Sequence, residues 1–397
     1  MGFRETCAME ERVRFCVSVE SGEVSMSELC RQFGISRKTG YEVLRRWRSG
    51  GAAALAPRSH APHHCPHALA ETSREAVLAL RRRYPSWGPK KLRAFLQAHA
   101  DPVIVVPAAS TIGELLRREG LSVARKRRRR APPCSVSPFD QALPNDVWSM
   151  DFKGWFRTGD GRRCDPFTLQ DQASRYLLRV VAVPRPDTTH VWSVLDAAFR
   201  EFGLPRAIRS DNGAPFASTG AAGLSGLAVR LIKAGVRPER IAPASPQQNG
   251  RLERLHRTLK DETANPPAAN LKAQADRFVR FRQTYNEERP HEALGMATPA
   301  AAYTDSSRPW SGRLRSPDYD QGTCVRRVRQ NGEIKWRGGT VYVSMALVGE
   351  PVSIEEADTG QLELRYGPVF IGYITEDLKL RWPTRGRKTK TVTHPPG

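Results

Sequence analysis

The stretch 146–183, DVWSMDFKGWFRTGDGRRCDPFTLQDQASRYLLRVVAV, reads as strands that fold back on one another as hairpins. A helical stretch, THVWSVLDAAFREFG (189–203), comes next. It is followed by a strand at PRAIRSDNG (205–213) and a helix opening after IAPASPQQNG (241–250). Hairpins that give way to alternating helices and strands predict a mixed α/β sheet. One side chain is out of keeping with its neighbours. Asp151 stands inside WSMDFK, where an isolated carboxylate in an apolar strand is costly unless it meets a cation or a hydrogen-bond partner.

Two further acids fit the same reading. Asp211 follows RAIRS and precedes Asn212 and Gly213, so it lies where a strand yields to a turn. Glu253 lies in SPQQNGRLERLHRTLK (245–260). At about 100° per residue, Leu252, Leu255 and Leu259 form a buried stripe there, and Glu253, Arg257 and Lys260 fall within roughly 60° of one another beside it. Three convergent carboxylates supply the oxygen ligands that two Mg²⁺ (or Mn²⁺) ions need, one acid bridging both and the others holding one each. Arg257 and Lys260 then seat the phosphates of a DNA end. Arg251 and Arg254, at about 200° and 100° from Glu253, are solvated or meet other phosphates. Asp171 is assigned to a turn. His256 is assigned to packing or DNA contact, because two-metal chemistry needs no histidine.

The whole-chain balance points to a polyanion. The 397 residues carry 63 Lys+Arg against 41 Asp+Glu, a net charge of +22, on a chain long enough for several cores. No apolar run is long enough to span a bilayer, and the start lacks the apolar core of a signal peptide, so a cytoplasmic, nucleoid-associated protein with no membrane partner is expected. MGFRET matches the loose myristoylation pattern, a weak match beside the alternative start at Met9. Seven cysteines without paired spacing imply reduced thiols.

Residues 1–52 read as a helix-turn-helix unit broken at FGIS, with Gly34 ending one helix and Ser36 capping the next. Val43, Leu44 and Trp47 share the inward face. Arg37, Lys38, Tyr41 and Arg45 lie off it, as a helix reading the major groove requires. A Gly, Ala and Pro-rich linker contains His60, His63, His64, Cys65 and His67 at spacings that fit no standard zinc pattern. A second trihelical unit spans 70–122, with its first helix capped near Thr72 or Ser73, Pro89 at the start of the second and Ser110 as a candidate cap of the third. Ser110 and Thr111 are assigned to DNA contact. The basic run Arg125, Lys126, Arg127, Arg128, Arg129 and Arg130, in a linker at 123–144, serves as tether and phosphate clamp. Residues 320–380 read as a small β-barrel with a hairpin signal at Asn331 and Gly332, and 381–397 as a basic tail.

WSMDF, DQASRY, SDNGAPF, SPQQNGRLERLHRTLK and YNEERPHEALGMATPAAAY together resemble the DDE transposases of bacterial insertion sequences, which share a core with retroviral integrases. The resemblance covers nearly the whole chain. The family's core implies a ribonuclease H-like α/β fold at 145–305, and with the readings above the chain is expected to be a multidomain α and α/β protein: two N-terminal helix-turn-helix units, that core and a small C-terminal β-barrel. The resemblance also implies Asp151, Asp211 and Glu253 as catalytic and metal-binding residues, with Asn249 and the basic residues named above on DNA. Inverted element ends and target DNA are the expected double-stranded partners, bound by a homo-oligomer that cleaves a strand and transfers the freed 3′-hydroxyl. The gap from Asp211 to Glu253 is longer than usual in the family, and the extra length is assigned to ASTGAAGLSG (217–226). Two rival readings share parts of this pattern. One is a DNA-binding regulator with an inert core. The other is a retroelement integrase, although those carry an N-terminal zinc unit where this chain has helix-turn-helix text.

Overall fold

Two serines set the first turns of the N-terminal unit. Ser25 caps α2 (Met26–Gln32) and Ser36 caps α3 (Arg37–Gly50), each accepting a backbone N–H, and α1 (Ala8–Glu20) packs across both. Gly34, at φ +63°, closes α2. Gly40 sits where the helices cross, and a Cβ there would come within 2.6 Å of Cys30 Sγ and 2.9 Å of Phe15, so the crossing requires glycine. Phe15, Cys16, Leu29, Cys30, Val43 and Leu55 fill the core.

This is a computed structural model describing residues 7–57, 69–122, 143–218, 223–241, 250–358 and 360–381. The chain divides into two compact units, 1–68 and 69–397. The linker residues His60, His63, His64, Cys65 and His67, the basic run 125–130, Asn249 and the basic tail lie outside the described residues. Among the described residues no helix is long and apolar enough to cross a membrane, and the cysteines are free.

The second unit begins with α4 (Glu71–Arg83), α5 (Pro89–His99) and α6 (Ala109–Arg118), packed around Trp87, Leu92, Ile112 and Leu116. Two expected caps are not caps. Ser73 is buried inside α4 and donates to the Val105 carbonyl at 2.9 Å, tying down the 101–107 connection, and Ser110 lies within the first turn of α6, whose N-cap is Ala108. Pro89 does occupy the first turn of α5, where its missing N–H costs nothing.

The central sheet comprises β1 (Val147–Phe152), β2 (Phe156–Arg157), β3 (Arg163–Asp171), β4 (Leu177–Val183), β5 (Ala207–Ser210) and β6 (Arg237–Arg240). β1, β2 and β4 pair antiparallel with β3, whereas β5 runs parallel to β1 and β6 parallel to β5. Alternation along the strands assigns the faces. Trp148, Met150, Phe167 and Leu169 pack under α7 (Thr188–Phe202), through Val191, Leu195 and Phe199. On the other face, Cys164, Leu177 and Val180 meet Leu252, Leu255 and Leu259 of α9 (Gly250–Thr263) and Phe278 and Phe281 of α10 (Leu271–Gln283). Asp151 is paired directly with Thr168 across β1 and β3, and this register turns it toward α9.

A π-helical turn, Thr284–Glu288, ends α10, and the first three helices of the second unit dock beside it. Tyr84 bonds Glu288, Ser86 bonds Glu262, and Lys90 pairs with Glu292 at 3.1 Å.

The C-terminal strands depart from the expected barrel. β7 (Cys324–Arg327), β10 (Pro351–Glu356), β11 (Leu362–Tyr366), β12 (Val369–Ile374) and β13 (Leu380–Arg381) form an open antiparallel sheet in the order β13-β12-β11-β10-β7. β8 (Glu333–Trp336) and β9 (Gly339–Tyr342) form a separate hairpin. Helix α8 (Gly226–Lys233) explains why the sheet need not close: its Ala228, Val229 and Ile232 pack into the same core as Ile334, Val352, Leu364 and Ile371. The hairpin turns at Arg337 and Gly338, with φ +44° and +83°, as a two-residue primed turn requires. The Asn331–Gly332 step instead makes the turn between β7 and β8, which do not pair with each other.

Candidate active site

β1 and β5 run parallel with Ser149 opposite Arg209, and two more steps along each strand bring Asp151 and Asp211 level at the strands' carboxyl ends. Open α/β sheets place ligand sites at that end. Asp151 Oδ1 accepts the Phe152 N–H at 2.7 Å. Its side chain is 21% exposed. Burial, then the charges of Asp211 and Glu253, push its pKa up to about 7. Asp211 Oδ1 accepts the Gly213 N–H at 3.2 Å, and Asn212 Nδ2 donates to the Ile241 carbonyl at 3.0 Å, pinning the turn after β5. Glu253 is exposed in the first turn of α9, and Leu252, Leu255 and Leu259 anchor that helix to the sheet.

These carboxylates bear on one another, and the Lys153 ammonium partly offsets their charge at Asp151. Among the described residues no group of three His, Cys, Asp or Glu side chains forms a ready-made metal cage. The donor chemistry nevertheless suits Mg²⁺, a hard cation that takes carboxylate oxygens, and a divalent cation would offset both the burial and the like charge that raise Asp151.

Two neighbours, Thr168 and Lys153, went unrecognised in the sequence, and His256 takes the packing role expected of it. Thr168 Oγ1 donates to the Asp151 carbonyl at 3.1 Å and contacts His256 Nε2 at 2.8 Å. With the hydroxyl proton committed to the carbonyl, Nε2 is the nitrogen that carries hydrogen. Burial, then Lys153, push the His256 pKa down to about 4, so the ring is neutral. Its Nδ1 lies 3.9 Å from Asp151 Oδ2, too far for a hydrogen bond, so His256 packs against the acid without forming an ion pair with it. Lys153, two residues beyond Asp151, is lowered by burial and by Lys260, which places Lys260 on the flank of α9 that faces this end of the sheet. The i+2 step from an in-facing acid was the signal for Lys153. Nothing local marked Thr168.

The other site residues are distributed as follows. Arg257 is exposed, one turn beyond Glu253. Arg251 donates to the Gln172 carbonyl at 2.9 Å, and Arg254 to the Gly250 carbonyl at 3.3 Å, both on a different flank of α9 from Lys260. Asp171 is fully buried and holds the turn between β3 and β4, accepting from the Asn145 and Ser174 N–H groups at 2.8 Å each. Arg37, Lys38, Tyr41 and Arg45 are exposed on α3, and Ser110 and Thr111 are exposed at the start of α6.

Integrase core domain models match residues 141–246 and 234–299, a homeodomain-like domain matches 39–116 and a helix-turn-helix domain matches 13–63. The chain is 31% identical over 291 residues to the insertion element IS407 uncharacterized 31.7 kDa protein of Burkholderia multivorans, spanning 71% of this chain and 91% of that one. It is 28% identical over 243 residues to the insertion element IS476 uncharacterized 39.2 kDa protein of Xanthomonas euvesicatoria, spanning 61% and 66%. Among solved structures, the catalytic core of HTLV-2 integrase in complex with magnesium aligns at 16% identity and a TM-score of 0.33, over 42% of this chain and 100% of that one.

Proposed function

The chain belongs to the insertion-element transposases that carry an integrase core domain, and from that premise we propose that it cleaves and joins DNA strands at the inverted ends of its own element. Asp151, Asp211 and Glu253 are the catalytic carboxylates of this reading. Its main support is their placement at the carboxyl end of the sheet, where the β1–β5 register brings Asp151 level with Asp211 and where burial, then the charges of Asp211 and Glu253, push the Asp151 pKa up to about 7.

The three acids would hold Mg²⁺ or Mn²⁺, two ions in the full reaction, whose chemistry is to stabilise the entering and leaving oxygens of an in-line displacement. The protein's own residues do the rest. Asp151, whose burial favours the protonated acid, would hold such an ion as the carboxylate. The Phe152 and Gly213 N–H groups fix the orientation of the two aspartates. His256 and Thr168 close the inner wall of the site against water. Lys153, Arg257 and Lys260 attract the phosphates of the strand end.

End recognition falls to the helical units: Arg37, Lys38, Tyr41 and Arg45 on α3, and Ser110 and Thr111 on α6, with the run 125–130 and Asn249 as phosphate contacts. A homo-oligomer holds the element's ends and the target together, and the protein works in the cytoplasm. A nicking and strand-transfer assay with Mg²⁺, on DNA bearing the element's ends, tests the reading. Cleavage should vanish in Asp151→Asn, Asp211→Asn and Glu253→Gln while end binding persists. Near-normal transfer by Glu253→Gln would remove Glu253 from the ligand set.

A further inference from the structure

Beside α9, away from Lys260, lies an open cleft of about 450 Å³. Its cations come from distant parts of the chain: Lys91 from α5, Arg175 from the turn between β3 and β4, Arg254 and Arg257 from α9, and Arg289 from just after the π-helical turn, the last already paired with Glu262 at 2.7 Å. The one carboxylate in the lining, Glu292, is already paired with Lys90 at 3.1 Å. This is more than a solvated basic face. Burial, then Arg289, push the Lys91 pKa down to about 8, and burial, then Arg251 and Arg254, push that of Arg175 down to about 10. Desolvated like charges are expensive unless an anion joins them. His291 also lines the cleft, and its Nε2 is buried without a hydrogen-bond partner among the described residues. The ring is held neutral by burial and by Lys91. An arriving anion would favour its protonation and make Nε2 a donor.

We propose that this cleft is a second phosphate-binding site, separate from the carboxylates, that seats the backbone of a single DNA strand. The choice of a strand rests on the proposed function and on two local features. The cleft is larger than one phosphate needs and falls in the range of small-ligand sites, roughly 300–1,000 Å³. Arg257 stands on its border one turn from Glu253, so a strand leaving the carboxylates runs directly over Arg257 into the cleft. Because α5 forms one wall and α9 the other, a bound strand also clasps the α4–α6 helices to the core.

The test uses the full chain, a labelled short single-stranded oligonucleotide followed by anisotropy across a salt series, and inorganic pyrophosphate as competitor. Lys91→Gln combined with Arg254→Gln should weaken strand binding on the order of tenfold and reduce the slope of log affinity against log salt by roughly 1 to 1.5, at about 0.7 per phosphate contact. Pyrophosphate should displace the strand from the wild-type protein and lose that effect in the double variant. Arg254→Gln alone changes an exposed side chain, so the fold is not at risk, and it should give about half the loss of slope. Unchanged slope and affinity in both variants would overturn the site. Loss of pyrophosphate binding with strand binding intact would overturn the strand as occupant and leave a free anion. Asp151→Asn, run alongside, separates this proposal from the catalytic one. It should bind the strand normally and fail to nick. A wild-type protein that never nicks, beside a double variant that loses its slope, would sink the catalytic reading and leave the cleft standing.

Discussion

The two flanks of α9 pose opposite electrostatic problems. Toward β1 the helix presents Glu253 to Asp151 and Asp211, and burial with like charge raises Asp151. Toward α5 it presents Arg251 and Arg254 to Arg175 and Lys91, and burial with like charge lowers Arg175 and Lys91. Leu252, Leu255 and Leu259 anchor the helix between the flanks, so each emerges on its own side of one stripe. A surface built only for solubility would interleave these charges and neutralise them. Keeping like charges together on each flank, with Lys153 beside the acids and Glu262 and Glu292 beside the cations as partial offsets, suits the proposed occupants: a cation on one side, a phosphate on the other.

The contrast would break most visibly at the acids. Asp211→Asn should lower strand cleavage on the order of 10³-fold, about 4 kcal/mol of transition-state stabilisation, while strand affinity changes little. Cleavage within tenfold of wild type, measured by nicking at saturating Mg²⁺, would show that the carboxylate flank is not the reactive one.

Stability against pH sharpens the same comparison. Asp151 has a folded pKa near 7 against an ordinary 3.8, so between those values the folded protein binds more protons than the unfolded chain. Stability therefore falls as pH rises through that window. Without metal, Asp151→Asn should be more stable than wild type at pH 8 by about 2–4 kcal/mol, with the gap closing toward pH 4. Added Mg²⁺ should stabilise wild type and not the variant. Melting midpoints with chelator across this range decide the matter, and a gap independent of pH would count against the charge argument.

The proposed division of labour leaves the choice of DNA sequence to the helical units and not to either flank, and that too can be measured. Arg37→Ala or Lys38→Ala on α3 should cost about 1–3 kcal/mol in binding element ends and relax specificity, if the residue contacts a base. Changes in the α9 cleft should instead weaken all sequences alike. Should residues 145–397 alone still prefer element ends over random DNA in a competition assay, the assignment of recognition to the helical units would be wrong.

The smallest effect concerns the wall of the acid flank. Thr168→Val removes the hydroxyl between the Asp151 carbonyl and His256 Nε2, leaves a buried ring donor without its partner, and should cost about 1–2 kcal/mol in denaturant unfolding. An unchanged midpoint would mean that His256 finds another acceptor.

What the sequence determined by itself was periodic or local. The hairpin strands of 146–183, the leucine stripe of α9, Ser36 capping α3 and Pro89 opening α5 all follow from spacing or from one residue's hydrogen-bonding capacity, and the fold contains each of them. The 100° step likewise separates Lys260 from Arg254 before any contact is known. Only the tertiary structure decided the rest. Opposite Asp151 the register places Thr168, 17 residues away, and His256 reaches that same hydroxyl from 88 residues away. Ser73, a plausible cap in isolation, is drawn inward to the Val105 carbonyl, and α8 fills a core that strands alone were expected to close. The cleft gathers Lys91, Arg175, Arg254 and Arg289 from four separate elements. Short-range periodicity specifies which face of an element is apolar. It does not encode which distant charges will share that face, because convergence depends on strand register and helix docking, and these are fixed only when the whole core packs.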